Sequence, residues 1–312
     1  MPLTISLVAP IYGVEKYIGK FADSVLGQSY PHIQFVFVND GTKDSSIEIL
    51  NSVIDNGYSQ LRDRIIIVNK QNAGLPAARK TGMQYVTGDY VWHVDSDDWL
   101  EIDAVKKIAA FAESHDFPDL IYFDFYKEYP DKSKAKRERN YSAADRQEYI
   151  RSMYNHKSYG CVWNKCVKRS VYLDNQVFFP EYSYAEDTYL MSQITGYSNS
   201  IEHLHDYLYH YRKGNPTAIT KGNRKRRRRE YALNFIDLYL KFNDFQENKN
   251  PVASIFNDML IQAGWYSLRY NLGLFEIYPW LSGVIRELSV RSGTDVWVPA
   301  QIITKIFSFL YR

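Results

Sequence analysis

Tyr90-Val91-Trp92-His93-Val94, running straight into Asp95-Ser96-Asp97-Asp98, decides how this 312-residue chain folds. The first five residues are rich in β-formers and read as a strand, while the carboxylates at its end demand water or a cation. Upstream, residues 3–9, 33–38 and 64–68 read as further strands. Residues 14–28, 42–56 and 75–86 read as the intervening helices, the first with Tyr17, Ile18, Phe21 and Val25 at helical spacing. Such alternation defines an α/β fold with a mostly parallel, Rossmann-like sheet flanked by helices. Downstream, 102–114 reads as a helix and 119–126 as a strand with Ile121, Phe123 and Phe125 on one face. Residues 127–140 form a charged surface loop or hairpin, and 145–211 mix helix and strand signals and are expected to close over the carboxyl edge of the sheet. Beyond Gly222, apolar residues three and four apart over 231–245, 253–270 and 302–311 point to a C-terminal helical appendage.

Bulk properties narrow the class. Hydrophobic residues make up 45% and charged residues 24%, ordinary globular usage that argues against disorder. Cys161 and Cys166 are the only cysteines; they exclude a disulfide framework, favour a reducing compartment and lack zinc-site spacing. The first strand begins too early for a cleavable leader, and no apolar run approaches the ~20 residues of a membrane span. The expectation is a cytoplasmic protein, soluble or peripheral on the inner face of the cell membrane.

In open α/β sheets ligands bind beyond the carboxyl ends of the strands. Four strands here end on, or lead into, polar or turn-forming groups: Ala9-Pro10-Ile11-Tyr12, Asn39-Asp40-Gly41-Thr42, Asn72-Ala73-Gly74 and Asp95-Ser96-Asp97. Asp95 and Asp97, two apart in an extended segment, project to the same side and can meet one hard cation, Mg²⁺ or Mn²⁺. A cation there would bridge diphosphate oxygens and offset charge on a departing nucleoside diphosphate. The competing reading makes these acids caps of the next helix.

Taken in order, these segments resemble the family 2 glycosyltransferases, which have the GT-A fold. The resemblance runs from Leu3 to about Thr220. It rests on Val8-Ala9-Pro10-Ile11-Tyr12, Asn39-Asp40-Gly41-Thr42-Lys43-Asp44, Asn72-Ala73-Gly74 with Ala78-Arg79 and Gly82, Asp95-Ser96-Asp97-Asp98, Trp163-Asn164-Lys165 and Glu186-Asp187. It implies a catalytic domain over 1–222, with a donor half over about 1–100 and an acceptor half over about 101–222. Residues 223–312 then form a membrane-associating or oligomerising helical region. The implied nucleotide and donor contacts are Pro10, Ile11, Tyr12, Asp40, Asn72, Arg79, Asp95 and Ser96, with Asp97 as principal metal ligand beside Asp95. The family often has two acids before the glycine where this chain has Asn39-Asp40; Asp40 is expected to keep its role.

Asp187 resembles the catalytic base, which takes the acceptor proton as the bond to the anomeric carbon forms; one such displacement inverts that centre. Glu186 would help position acceptor or base, although both acids also suit the first turn of a helix. Arg212 is a phosphate candidate because its fork binds oxygens bidentately. His210 is a candidate third metal ligand with a structural role as its alternative, and Trp163 a candidate platform for the acceptor sugar with core packing as its alternative. The loop 213–223 is a candidate lid.

Arg224, Lys225, Arg226, Arg227, Arg228 and Arg229 form one basic run suited to anionic lipid head groups, while nothing else resembles a nucleic-acid module. Trp297, Ile302, Ile303, Ile306, Phe307, Phe309 and Leu310 suit a membrane interface, the preceding helices or a second subunit equally. The leading expectation is transfer from a nucleotide diphosphate sugar to a saccharide or lipid-linked saccharide. A nucleotidyltransferase would carry a glycine-rich basic loop after strand one, which Val14-Glu15-Lys16 does not supply. A catalytically silent sugar-nucleotide-binding subunit of a polysaccharide assembly complex is the alternative from another class, and retention of both acidic motifs argues against it.

Overall fold

The computed structural model describes residues 2–154, 156–215, 221–244, 263, 267, 272–277 and 281. The chain divides into two compact units, Met1–Ala218 and Ile219–Arg312.

In the first unit the elements run β1 (Ile5–Ile11), α1 (Ile18–Leu26), β2 (Ile33–Asn39), α2 (Ser46–Gly57), β3 (Ile65–Asn69), α3 (Leu75–Met83) and β4 (Tyr90–His93). They continue with β5 (Trp99–Leu100), α4 (Ala104–Ser114), β6 (Leu120–Glu128), β7 (Ser133–Lys136), α5 (Arg146–Tyr154), β8 (Lys165–Lys168), α6 (Arg169–Asp174), α7 (Glu186–Tyr197) and β9 (Ile201–Arg212). One sheet in the order β3-β2-β1-β4-β8-β6-β9-β5 collects them, with β7 paired to β6 beside that path. The β3-β2-β1-β4 half is parallel throughout. Beyond it orientation is mixed: β8 runs antiparallel to β4 and β6, and β9 parallel to β6.

Strand periodicity builds a core on each face. Ile5, Leu7, Ala9 and Ile11 of β1 share one core with Phe35, Phe37, Trp92, Ile121, Phe123 and Phe125. Val8, Val36, Val38, Val91 and Tyr122 look the other way. Helix α3 lies close on that second face at Gly82, where an added Cβ would sit 2.5 Å from Val8 Cγ1. The charged stretch 127–140 forms the β6–β7 hairpin. Residues 145–211 do more than cover the carboxyl edge, since β8 and β9 extend the sheet itself. Four-residue β8 carries Lys at both ends and too little alternation to announce a strand.

In the second unit, α8 (Arg224–Asp244) begins with the basic run, so these cations occupy its first turns; Arg226 Nε pairs with Glu230 Oε1 at 2.6 Å. A short α9 (Leu274–Ile277) follows. Apart from Ala263 and Ser267, the expected helices over 253–270 and 302–311 lie outside the described residues, as does the apolar tail from Trp297. Among the described residues no helix is long and apolar enough to cross a membrane.

Candidate active site

The carboxyl end of β2 prepares the entry to α3. Asp40 is buried, and its carboxylate accepts the Ala73 and Gly74 amides at 3.0 and 2.9 Å and Lys70 Nζ at 2.5 Å. Gly74 adopts φ 89°, a conformation open to glycine, and α3 starts at the next residue. Arg79 rides one turn further on and is fully buried. Its Nη2 donates to Asp95 Oδ1 at 2.7 Å, and its Nη1 to Asp187 Oδ1 at 2.7 Å and to Glu186 Oε1. A guanidinium out of water must be paired to persist, so this cation locks three carboxylates from β4's end and α7's first turn into one cluster. Ala185, just before them, holds φ 62°, an unusual value for a residue with a side chain and a form of local strain that concentrates at functional sites.

Charge in this cluster is not balanced. Burial, reinforced by Asp187 and Asp97, pushes Asp95 up to about 6 despite Arg79. Burial also raises Glu186 well above the carboxylate range against the pull of Arg79, and burial together with Arg79 drives His93 well down. Arg79 Nε, Glu186 Oε2 and both ring nitrogens of His93 are buried without hydrogen-bond partners.

After β4, side chains alternate as the spacing requires: Asp95 and Asp97 are half-buried while Ser96 and Asp98 turn inward. Ser96 Oγ donates to Pro10 O at 2.6 Å, tying the acidic loop to the end of β1. Asp98 accepts Tyr209 Oη at 2.8 Å and the Arg212 amide at 2.6 Å, which fixes the loop against β9. Arg212 Nε donates to Asp97 O at 2.7 Å, and its guanidinium lies over the rings of Tyr17 and Trp99. Asp97 Oδ2 accepts Asn215 Nδ2 at 2.7 Å. At the same edge Tyr12 is 54% exposed, whereas Pro10 and Ile11 are buried; Asn72 is also exposed.

Several expected roles change with this geometry. Arg79 presents no surface to a donor; its work is to hold carboxylates. Asp40 anchors the Ala73-Gly74 turn rather than standing open to a nucleoside. Glu186 is 2% exposed, with its Oε1 turned to Arg79 and away from any acceptor-facing surface. Trp163 is 4% exposed and packs against Phe125, Tyr209 and Tyr211, so its ring is core and not a sugar platform. His210 hydrogen-bonds Glu128 through Nδ1 and Glu101 through Nε2, both at 2.8 Å, and stacks between Trp99 and Tyr126. Both ring nitrogens of His210 are thus engaged by carboxylates that flank it. Sequence reasoning missed Asn215, Tyr209 and Lys70, whose partners lie far off in the chain; among loop residues 213–223, 216–220 lie outside the described residues.

A nucleotide-type α/β sheet with paired acids at a strand end and a second acid pair on a facing helix defines a class of group-transfer sites. Residues 6–174 match the family model described as glycosyl transferase family 2, and the chain belongs to that family. It is 28% identical over 214 residues to the EpsH protein of Bacillus subtilis (strain 168), a match covering 67% of this chain and 60% of EpsH. The chain thus spans less than two thirds of that relative's length. Among solved structures, S. aureus TarS 1–349 in complex with UDP-GlcNAc superposes with a TM-score of 0.64 at 17% identity, covering 92% of this chain and 80% of that one. The mannosyltransferase PcManGT from Pyrobaculum calidifontis, in complex with GDP-Man and Mn²⁺, gives 0.55 at 15% identity over 99% and 81%. The shared fold is GT-A.

Proposed function

We propose that this chain is an inverting glycosyltransferase that moves a sugar from a nucleotide diphosphate donor, with a UDP-sugar favoured, to a hydroxyl of a glycan or lipid-linked saccharide. The observation that carries the reading is Arg79, which joins Asp95 of the strand-end acids to Asp187 of α7 through a single buried cation. That link sets the donor edge and the base in one rigid frame. The nucleotide sugars bound by TarS and PcManGT support the donor class, and their different bases leave the nucleobase to pocket details of this chain.

Mn²⁺ or Mg²⁺ fits the residues at the edge. Asp95 and Asp97 offer hard oxygens on one side, and burial, with Asp187 and Asp97 beside it, raises Asp95 even though Arg79 pairs with it. When bound, the ion would supply charge stabilisation for the leaving diphosphate. Asp97 would hold it with Asp95; Asn215 keeps Asp97 in place, and Arg212 adds a fixed positive charge for phosphate. Asp187 would take the proton of the attacking hydroxyl while Arg79 and Glu186 fix its orientation. The 1–222 stretch would then be the catalytic domain. The basic start of α8 would draw residues 223–312 to an anionic membrane surface at about 1 kcal/mol per cation, in keeping with a peripheral enzyme on the inner face of the membrane.

A donor panel tests the reading: nucleoside diphosphate release is followed with Mn²⁺, Mg²⁺ or chelator, on the wild type and Asp187→Asn. Metal-dependent release from one donor, lost in the variant, is expected. Tight binding with no release across donors and acceptors would replace it with a silent binding subunit.

A further inference from the structure

Outside that site, strand β6 meets strand β9 at an irregular place. Phe123 faces Leu204, but Asp124 faces Tyr207 and Phe125 faces Tyr209, so the register shifts on both sides of Asp124. Extra residues of β9, His205 among them, are accommodated there. Bulges of this kind re-aim side chains and are over-represented beside functional sites. Here Asp124, His203 and His205 each bring a ligand atom to within 4.8 Å of the others. Their rings and carboxylate mix burial with access: Asp124 is fully buried, His203 nearly so, and His205 is exposed.

The hydrogen bonds within the group leave it incomplete. Asn140 presents Oδ1 to His203 Nδ1 at 2.7 Å, an arrangement that suits the tautomer with its proton on Nδ1. In a neutral imidazole Nε2 then offers a lone pair. That nitrogen lies 2.9 Å from Asp124 Oδ1, an acceptor that already takes the Glu138 amide at 2.8 Å. In that tautomer two acceptors face each other, and a proton or a cation reconciles them. Asp124 Oδ2 is buried without a hydrogen bond, its nearest charge being Arg137 Nε at 3.5 Å. Arg137 is 68% exposed and can swing away. Among the described residues no hydrogen bond engages a ring nitrogen of His205; its ring centroid lies 4.0 Å from that of His203.

We propose that Asp124, His203 and His205 form a second metal site, separate from the strand-end acids, for a borderline transition-metal ion of the Zn²⁺ type. Two imidazoles and one carboxylate suit such an ion and not Mg²⁺. Asn140 fills the place of the outer partner that fixes the tautomer of a ligating histidine. In a tetrahedral site the donor atoms stand about 3.3 Å apart, which small side-chain rotations from the present spacing reach, with a fourth position open to water beside exposed His205. The ion would staple β6 to β9 across the bulge, on the strand that carries Tyr209 and Arg212. This inference does not depend on the glycosyltransferase reading.

The test uses the full chain, stripped with chelator and free of nucleotide, titrated with Zn²⁺ and with Co²⁺ as a spectroscopic probe. One equivalent should bind, with visible Co²⁺ bands and a raised Tm. His205→Ala, at an exposed position, should lose the bands and the Tm shift while folding normally; Asp124→Asn should lose them too, and Asp97→Asn should keep them. No Co²⁺ bands from the wild type, bands that survive His205→Ala, or bands lost in Asp97→Asn would overturn the proposal.

Discussion

Asp40 and Asp97 follow β2 and β4, the two strands that flank β1 in the parallel half-sheet, yet the chain spends them differently. Asp40, beyond β2, has its charge consumed by two backbone amides and Lys70. Asp97, beyond β4, has one oxygen held by Asn215 and sits among Asp95 and Asp98 with too few cations to balance them. The first carboxylate has its oxygens taken by the turn; the second, in the proposed mechanism, would receive an outside charge. Equivalent positions in a fold therefore do not fix a role. What decides it is whether the local donors already satisfy the side chain.

Substitutions separate the two. Asp97→Ala should lower kcat by about 10²–10³ while leaving the unfolding midpoint nearly unchanged, as read by turnover and thermal melting together. Arg79→Met, which removes the common counter-ion, should cost about 3–5 kcal/mol because it strands buried carboxylates; denaturant melts would show it, and a small loss would mean the cluster is less buried than described. Asp40→Ala should cost about 1–3 kcal/mol for the Ala73 and Gly74 amides left without their acceptor, raising donor KM more than it lowers kcat. A kcat collapse with unchanged stability would instead make Asp40 a ligand-contacting group.

The smallest effect belongs to Asp44, at the start of α2. Burial opposes its ionisation, but hydrogen bonds from the Ser46 and Thr42 hydroxyls and the Glu15 and Ser46 amides outweigh it and hold the group below 3.8. A depressed carboxylate contributes stability that is present above 3.8 and lost as pH falls through the folded-state value. Asp44→Ala should therefore cost about 1 kcal/mol at neutral pH, and the gap from wild type should narrow in acid melts.

Much of this was legible in the chain. Strand and helix periodicity exposed the parallel half of the sheet, and the two-residue spacing of Asp95 and Asp97 correctly put both on one side. Misread residues share a physical cause: their roles depend on partners distant in sequence. Nothing near Arg79 announces that Glu186 and Asp187, more than a hundred residues on, will surround it. For Trp163 and His210 the sequence left a ligand-contacting and a structural role side by side, because aromatic clusters give no sign of which ring is outermost. Strand β8 was missed because its edges are charged and its four residues are too few to show a period.

In the proposed mechanism the acids divide the labour: Asp97 would bind the donor with its ion, while Asp187 would act only on the attacking hydroxyl. Calorimetric titration of the preferred nucleotide sugar, with Mn²⁺ and with chelator, into wild type, Asp97→Ala and Asp187→Asn resolves that division. Metal-dependent affinity should be retained in Asp187→Asn and lost in Asp97→Ala. Equal loss in both, or full retention in Asp97→Ala, would contradict it.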